Sequence, residues 1–157
     1  MIQRIQTVYL FISIICLSVV TSGVSILNFK SEDGTMILSS FGLEEFDSTF
    51  KSIKLISYPY FISTLMLTVL CLLTILSYKN LKNQLKLIRI ILMIYVFLIV
   101  GLLFFAFMAN FSLTESGVFP KLGLGFYLFL VGFPLVFLAN LGVKKDKNLL
   151  DSVNRLR

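Results

Sequence analysis

Histidine and tryptophan are absent from this chain of 157 residues, cysteine occurs twice and proline three times, and only 14% of the residues are charged. Each scarcity excludes something. Zinc-dependent proteolysis inside a membrane needs histidine ligands, a serine hydrolase pair needs a histidine base, and proton relays use Asp, Glu or His at membrane depth. Two cysteines with no histidine do not complete a tetrahedral metal site. Gly-x-Ser-x-Gly and Walker A patterns are also missing, and the closest glycine pair, Gly123-Leu-Gly125, lacks the third glycine and the preceding strand of a dinucleotide fingerprint. We therefore expect no catalytic residue, no metal and no cofactor, and a protein that is not an enzyme. The glycine pair reads more simply as a place where helices approach closely.

The scarcity of charge has a positive counterpart. Soluble domains carry about one quarter charged residues, whereas here 57% of the chain is hydrophobic. The apolar residues fall into four stretches, over residues 5–27, 57–78, 88–110 and 122–143, each about the 20 residues that a spanning helix needs. No Asp, Glu, Lys or Arg interrupts the sequence between Arg4 and Lys30, Lys54 and Lys79, Arg89 and Glu115, or Lys121 and Lys144. The expected fold class is an all-α membrane protein, a four-transmembrane-helix bundle forming one integral membrane domain. MIQRIQTVYLFISIICLSVVTSG also has the outline of a secretory signal, but its apolar run is long enough to span and we read it as a retained first helix.

Basic residues set the orientation, because cytoplasmic loops retain Lys and Arg. Arg4, residues 79–89 and the tail from Lys144 hold a surplus of eight positive charges, while the two opposite loops, 28–56 and 111–121, hold a surplus of two negative charges. Both termini are thus expected in the cytoplasm of a bacterial inner membrane, with the lipid bilayer as the first partner. The basic balance reports topology, and nucleic acid is not an expected partner, since no aromatic residues interleave the basic ones in a soluble domain. Tyr9 and Tyr78 would mark the inner boundary, and Tyr58, Tyr60 and Tyr127 the outer one.

Within the spans the polar atoms belong mainly to Ser13, Ser18, Thr21, Ser22, Ser63, Thr64, Thr68 and Thr74, residue types that let helices pack closely. Cys16 and Cys71 are expected to be inert buried thiols, unbridged because they sit at different depths. Gly132 and Pro134 should kink the fourth span. Outside the membrane, SILNFKSEDGTMILSS predicts a hairpin turning at its Ser-Glu-Asp-Gly. NFSLTESGVFPK has a similar turn and would place a further strand beside that hairpin. Leu43, Phe46, Phe50 and Ile53 recur at helical spacing, with acidic residues first and lysines last, which predicts a short interfacial helix over 43–56.

The two ends carry a resemblance. MIQRIQTVYL and LANLGVKKDKNLLDSVNRLR are similar to the ends of a family of small bacterial four-span membrane proteins known only as a domain of unknown function. That resemblance implies an integral membrane protein without assigned chemistry, and it singles out Gln3, Arg4, Gln6 and Thr7 at the start, with Lys145, Asp146, Leu149, Ser152, Arg155, Leu156 and Arg157 at the end. If the tail is helical, Leu149, Leu150, Val153 and Leu156 fall within an arc of about 120°, an apolar stripe fit for docking. Its dock would be the membrane surface, the loop over 79–89 or a partner subunit. These residues are the candidate contact site, and the expected role is a scaffold or accessory subunit of a membrane assembly. The rival expectation is a small-solute or lipid-handling transporter working as a homo-oligomer.

Overall fold

The computed structural model describes residues 3–30, 34–47, 52–56, 60–113 and 120–155. Four helices dominate: α1 (Gln3–Thr21), α2 (Tyr60–Leu76), α3 (Leu81–Leu113) and α4 (Leu124–Arg155). Five strands, β1 (Leu27–Lys30), β2 (Gly34–Leu38), β3 (Leu43–Asp47), β4 (Ser52–Ile56) and β5 (Pro120–Leu122), form one antiparallel sheet in the order β4-β3-β2-β1-β5. Two helical stretches, Leu81–Met108 and Leu124–Ser152, are long and apolar enough to cross a membrane, while Ile5–Thr21 and Tyr60–Leu76 are shorter apolar helices.

Packing is organised by α4, which lies most extensively against α1. Gly125, Gly132 and Ala139 recur every seven residues, with Asp146 next in the series, so they share one face of the helix. A second series, Phe129, Val136 and Val143, is also spaced by seven and is buried in the common core. Small residues in the first series remove the bulk that would hold neighbours apart. A Cβ at Gly132 would collide with the Tyr95 hydroxyl of α3, and one at Gly142 would lie 2.7 Å from Gln6 Cγ of α1. The packing is therefore fitted to glycine.

Hydroxyl groups in α1 and α2 are satisfied mostly within their own helices, as Ser18 donates to the Ile15 carbonyl, Thr68 to Thr64 and Thr74 to Leu70. Thr21 also bonds Thr64 at 3.0 Å, joining α1 to α2. Cys16 and Cys71 are free and buried, in agreement with the packing expected of them. Pro134 lies inside α4, which continues through it. Outward faces are apolar too, with Phe11, Ile15, Met66, Val69, Met93, Phe97, Phe104 and Val131 all exposed. A helix set that is apolar on both its inner and outer faces matches a bilayer environment.

The sheet closes the bundle end where α1 finishes and α2 and α4 begin. Leu27, Phe29 and Leu38 are buried in the same core as the helices. Gly23, with φ of 99°, ends α1 in a left-handed turn that suits glycine, and the chain leaves for β1. The turn between β2 and β3 ties the sheet to two helices: Ser40 Oγ donates to the Thr21 carbonyl at 3.2 Å, and the Phe61 amide donates to the Ser40 carbonyl at 2.8 Å.

Several expectations need revision. The first apolar stretch was expected to run helical to residue 27, but α1 stops at Thr21 and Leu27 opens β1. The segment between the second and third apolar stretches, expected to be an inner loop over 79–87 with basic residues to Arg89, becomes a 3-10 turn, Ser77–Lys79, and the first turns of α3. Most substantially, the interfacial helix over 43–56 is replaced by β3 and β4 on either side of residues 48–51, which lie outside the described residues. Local spacing favoured a helix, but the free edge of β2 captures β3, and the register then sets Glu45 directly opposite Lys54. The β-forming Ser-Ile-Lys-Leu-Ile sequence favours the hairpin as well. The added strand from the last loop is present as β5, and Gly123 and Gly125 lie against the Ser25 carbonyl, so this pair serves contact with extended chain rather than with another helix.

Gly132→Ala is expected to lower the unfolding free energy in detergent by about 1–3 kcal/mol through overpacking against Tyr95. Gly101→Ala, where a Cβ meets nothing within 4 Å, should leave the melting temperature unchanged or raised. Paired thermal unfolding curves check both.

Candidate functional site at the tail end of the bundle

The opposite end of the bundle gathers the N-terminal turns of α1, the start of α3 and the emerging length of α4. Here two residues 140 positions apart meet: Gln6 Nε2 donates to Asp146 Oδ2 at 2.6 Å. Both are buried, Gln6 at 3% exposure and Asp146 at 8%. A hydrogen bond to an ionised acceptor is short and strong, and removing its donor would leave a carboxylate stranded away from water. Gly142, one turn before Asp146, supplies the space for the Gln6 side chain. Gln84 of α3 is buried as well, in the second turn of a helix whose start is capped by Asn80 Oδ1 accepting from the Asn83 amide at 3.4 Å.

Beyond this contact α4 continues as a single helix to Arg155. Nine further residues at 1.5 Å each carry it about 14 Å past Asp146. Lys144 and Lys145 are exposed, Lys147 is half-buried, and Ser152 is exposed with its hydroxyl donating to the Leu149 carbonyl at 2.7 Å. Leu149 and Leu150 are 50% and 53% exposed. The apolar stripe is thus helical over its described part, and the loop expected as one dock does not cover these two leucines.

The site residues named from the sequence separate into three groups. Gln6 and Asp146 are brought together, with Thr7 exposed beside them on α1. Lys145, Leu149 and Ser152 line the projecting helix. Gln3, Arg4, Val153 and Arg155 are placed by their backbones only, and Leu156 and Arg157 lie outside the described residues. Sequence reasoning missed Gly142 and Gln84. The available signal was the sevenfold recurrence of Gly125, Gly132, Ala139 and Asp146, which puts the carboxylate on the face that packs inward.

A second polar grouping lies at mid-bundle, where the Tyr95 hydroxyl sits against Gly132 and Ser13 donates to the Gly132 carbonyl at 3.5 Å. Ser13 and Tyr95 are both fully buried, and the surrounding groups are Phe129, Phe133 and the core aliphatics. Among the described residues there is no group of three or more His, Cys, Asp or Glu side chains suited to a metal ion. The arrangement at either place is one of polar contact between helices.

A family description now has its structural counterpart, because the matched region runs from residue 2 to residue 156 and so includes both partners of the Gln6–Asp146 bond. The chain belongs to the DUF4293 family, a domain of unknown function. No curated protein matches it. The resemblance read from the two ends is therefore shown, and within this DUF4293 member those ends form one structural unit.

Gln6→Leu should destabilise the protein by about 1–3 kcal/mol, the cost of a buried acceptor left without its donor. Combining Gln6→Leu with Asp146→Leu should recover most of that loss, because two apolar partners leave nothing unsatisfied. A double-mutant cycle of unfolding measurements in detergent reads the coupling, and additive effects would show that the bond does not hold α1 to α4.

Proposed function

We propose that this DUF4293 protein is a four-span integral membrane protein with both termini in the cytoplasm, serving as a non-enzymatic accessory subunit that holds a partner through the projecting end of α4. The observation that carries the reading is the helix beyond Asp146: it is fixed at its root to α1, yet offers Leu149 and Leu150 to its surroundings. Fixing the root lowers the entropy lost when a partner is bound. Burying a leucine fully contributes about 1.5–3 kcal/mol, so two such residues are enough to matter in an interface.

Membrane residence is supported by the apolar outer faces and by helix lengths. At 1.5 Å per residue α1 and α2 measure about 28 and 26 Å, near the 30 Å hydrocarbon thickness. The concentration of Lys and Arg at the tail end supports a cytoplasmic placement of that end. Exposed Lys144 and Lys145 would then meet anionic headgroups where α4 leaves the bilayer, each contributing about 1 kcal/mol. Continuity of α4 points its end away from the membrane plane, which favours a protein surface over the lipid surface as the dock for the leucines.

Two experiments test the parts separately. In a Cys16→Ala, Cys71→Ala background, Ser152→Cys should resist a membrane-impermeant thiol reagent in intact cells while Lys121→Cys reacts. The reverse pattern would overturn the orientation. For the partner, Leu149→Asp with Leu150→Asp should leave membrane insertion and abundance intact but remove proteins copurifying with the wild type after mild detergent extraction, read by quantitative mass spectrometry. Copurification unchanged in the double variant would show that the projecting helix is not the contact.

A further inference from the structure

The flank of α3 around Gly101 lines a cavity together with residues of α2 and β2. Tyr60, the first residue of α2, donates its hydroxyl to the Leu98 carbonyl at 3.3 Å, which ties the start of α2 to this flank. The Thr21–Thr64 bond places the end of α1 one turn deeper. Leu38, the last residue of β2, also reaches this flank of α3. Between these groups lies the cavity, of about 270 Å³, lined by Leu38, Tyr60, Phe97, Leu98, Gly101, Leu102 and Phe105.

Three properties define what fits. The lining is apolar, and its one hydroxyl, on Tyr60, is already donated to Leu98. Such a cavity does not hold water well and has no orienting group for a polar solute. Its form is a slot along α3: from Phe97 to Phe105 the helix rises about 12 Å. Below the slot the same side of α3 continues through Phe97 and Met93, each 76% exposed, so the slot is open to whatever surrounds the helices. At about 30 Å³ for one water in the liquid, and a similar share for a methylene group, the volume accepts roughly nine methylenes in single file. An α-helix with its side chains is about 10 Å across and too broad for a cavity of this volume.

On the membrane reading given above, we infer that this slot holds one acyl chain of a phospholipid, drawn from the surrounding leaflet along the exposed side of α3. Gly101 is the residue that keeps it open. With no atom within 4 Å of a Cβ built there, a side chain at this position would enter the slot without displacing the core.

The experiment uses the full-length protein extracted from membranes in mild detergent. Carbonate extraction comes first and tests the membrane reading alone: release of the wild type would overturn that reading and the slot with it. For an integral wild type, native mass spectrometry after detergent exchange should show phospholipid retained at one per chain. A phospholipid carrying a diazirine in its acyl chain should crosslink within residues 97–105. Gly101→Phe should reduce both the retained lipid and that crosslink at least fivefold, with carbonate resistance and melting temperature preserved. Crosslinking on exposed Ile62 or Val69 of α2, which face general lipid, should be unchanged in the variant. Equal retention and crosslinking in wild type and Gly101→Phe would overturn the inference, as would a wild-type dimer that the variant dissociates, since the slot would then serve a second copy.

Discussion

The close approach of the first and last helices is the constraint on which the rest of this structure depends. Helices associate closely where their backbones can come near enough for dispersion and polar contacts to add up. α4 meets that requirement with glycine and alanine every seventh residue, and each of α1, α3 and the strand lead-in at Ser25 fills one of the spaces. Spacing by seven keeps the seam on one side of α4 for its whole length. The cost is sensitivity, since every added methyl group on that side meets an occupied position.

Both ends of the seam are secured by polar contacts of different kinds. At the sheet end, backbone groups supply them: the amides of Gly123 and Gly125 donate to Ile26 and Ser25, and the Ser39–Gly42 turn engages α1 and α2. The tail end uses side chains, through Gln6 and Asp146. A buried carboxylate is tolerated only with a donor, so this bond specifies the register of α1 on α4 more sharply than leucines could. Register at that point fixes where the free end of α4 projects, and the proposed partner contact inherits its position from a residue near the start of the chain.

Much of this was legible in the sequence because composition and charge distribution are coarse, additive properties. Long uncharged apolar runs announce helices, and the Ser-Glu-Asp-Gly segment announced the β1–β2 hairpin. What failed were places where a remote segment decides local structure. Residues 43–56 have helical periodicity, but the unpaired edge of β2 and the Glu45–Lys54 register outweigh it. α1 ends early because Ile26 and Leu27 are needed by the sheet, although their hydropathy suits a span equally well. At the candidate site both halves were identified separately from the two ends, while their pairing and the room left by Gly142 required the approach of two helices to be known. The helical tail followed from local spacing alone, as a solvated helix end should.

The position of β5 has a consequence for how such a chain is made. β1 follows the first helix, but its outer neighbour β5 comes only after α3, so the sheet cannot be completed until the chain has been synthesised through residue 122. α4, which follows β5, then brings Asp146 to Gln6, 140 positions away. Contacts that distant form late, because the loop they close is almost the whole polypeptide. Until then the nascent protein carries an open β1 edge at one end of the bundle and a Gln6 amide without its acceptor at the other. Arrival of β5 and then α4 removes the two defects in turn, so incomplete products differ from finished ones at both ends of the bundle.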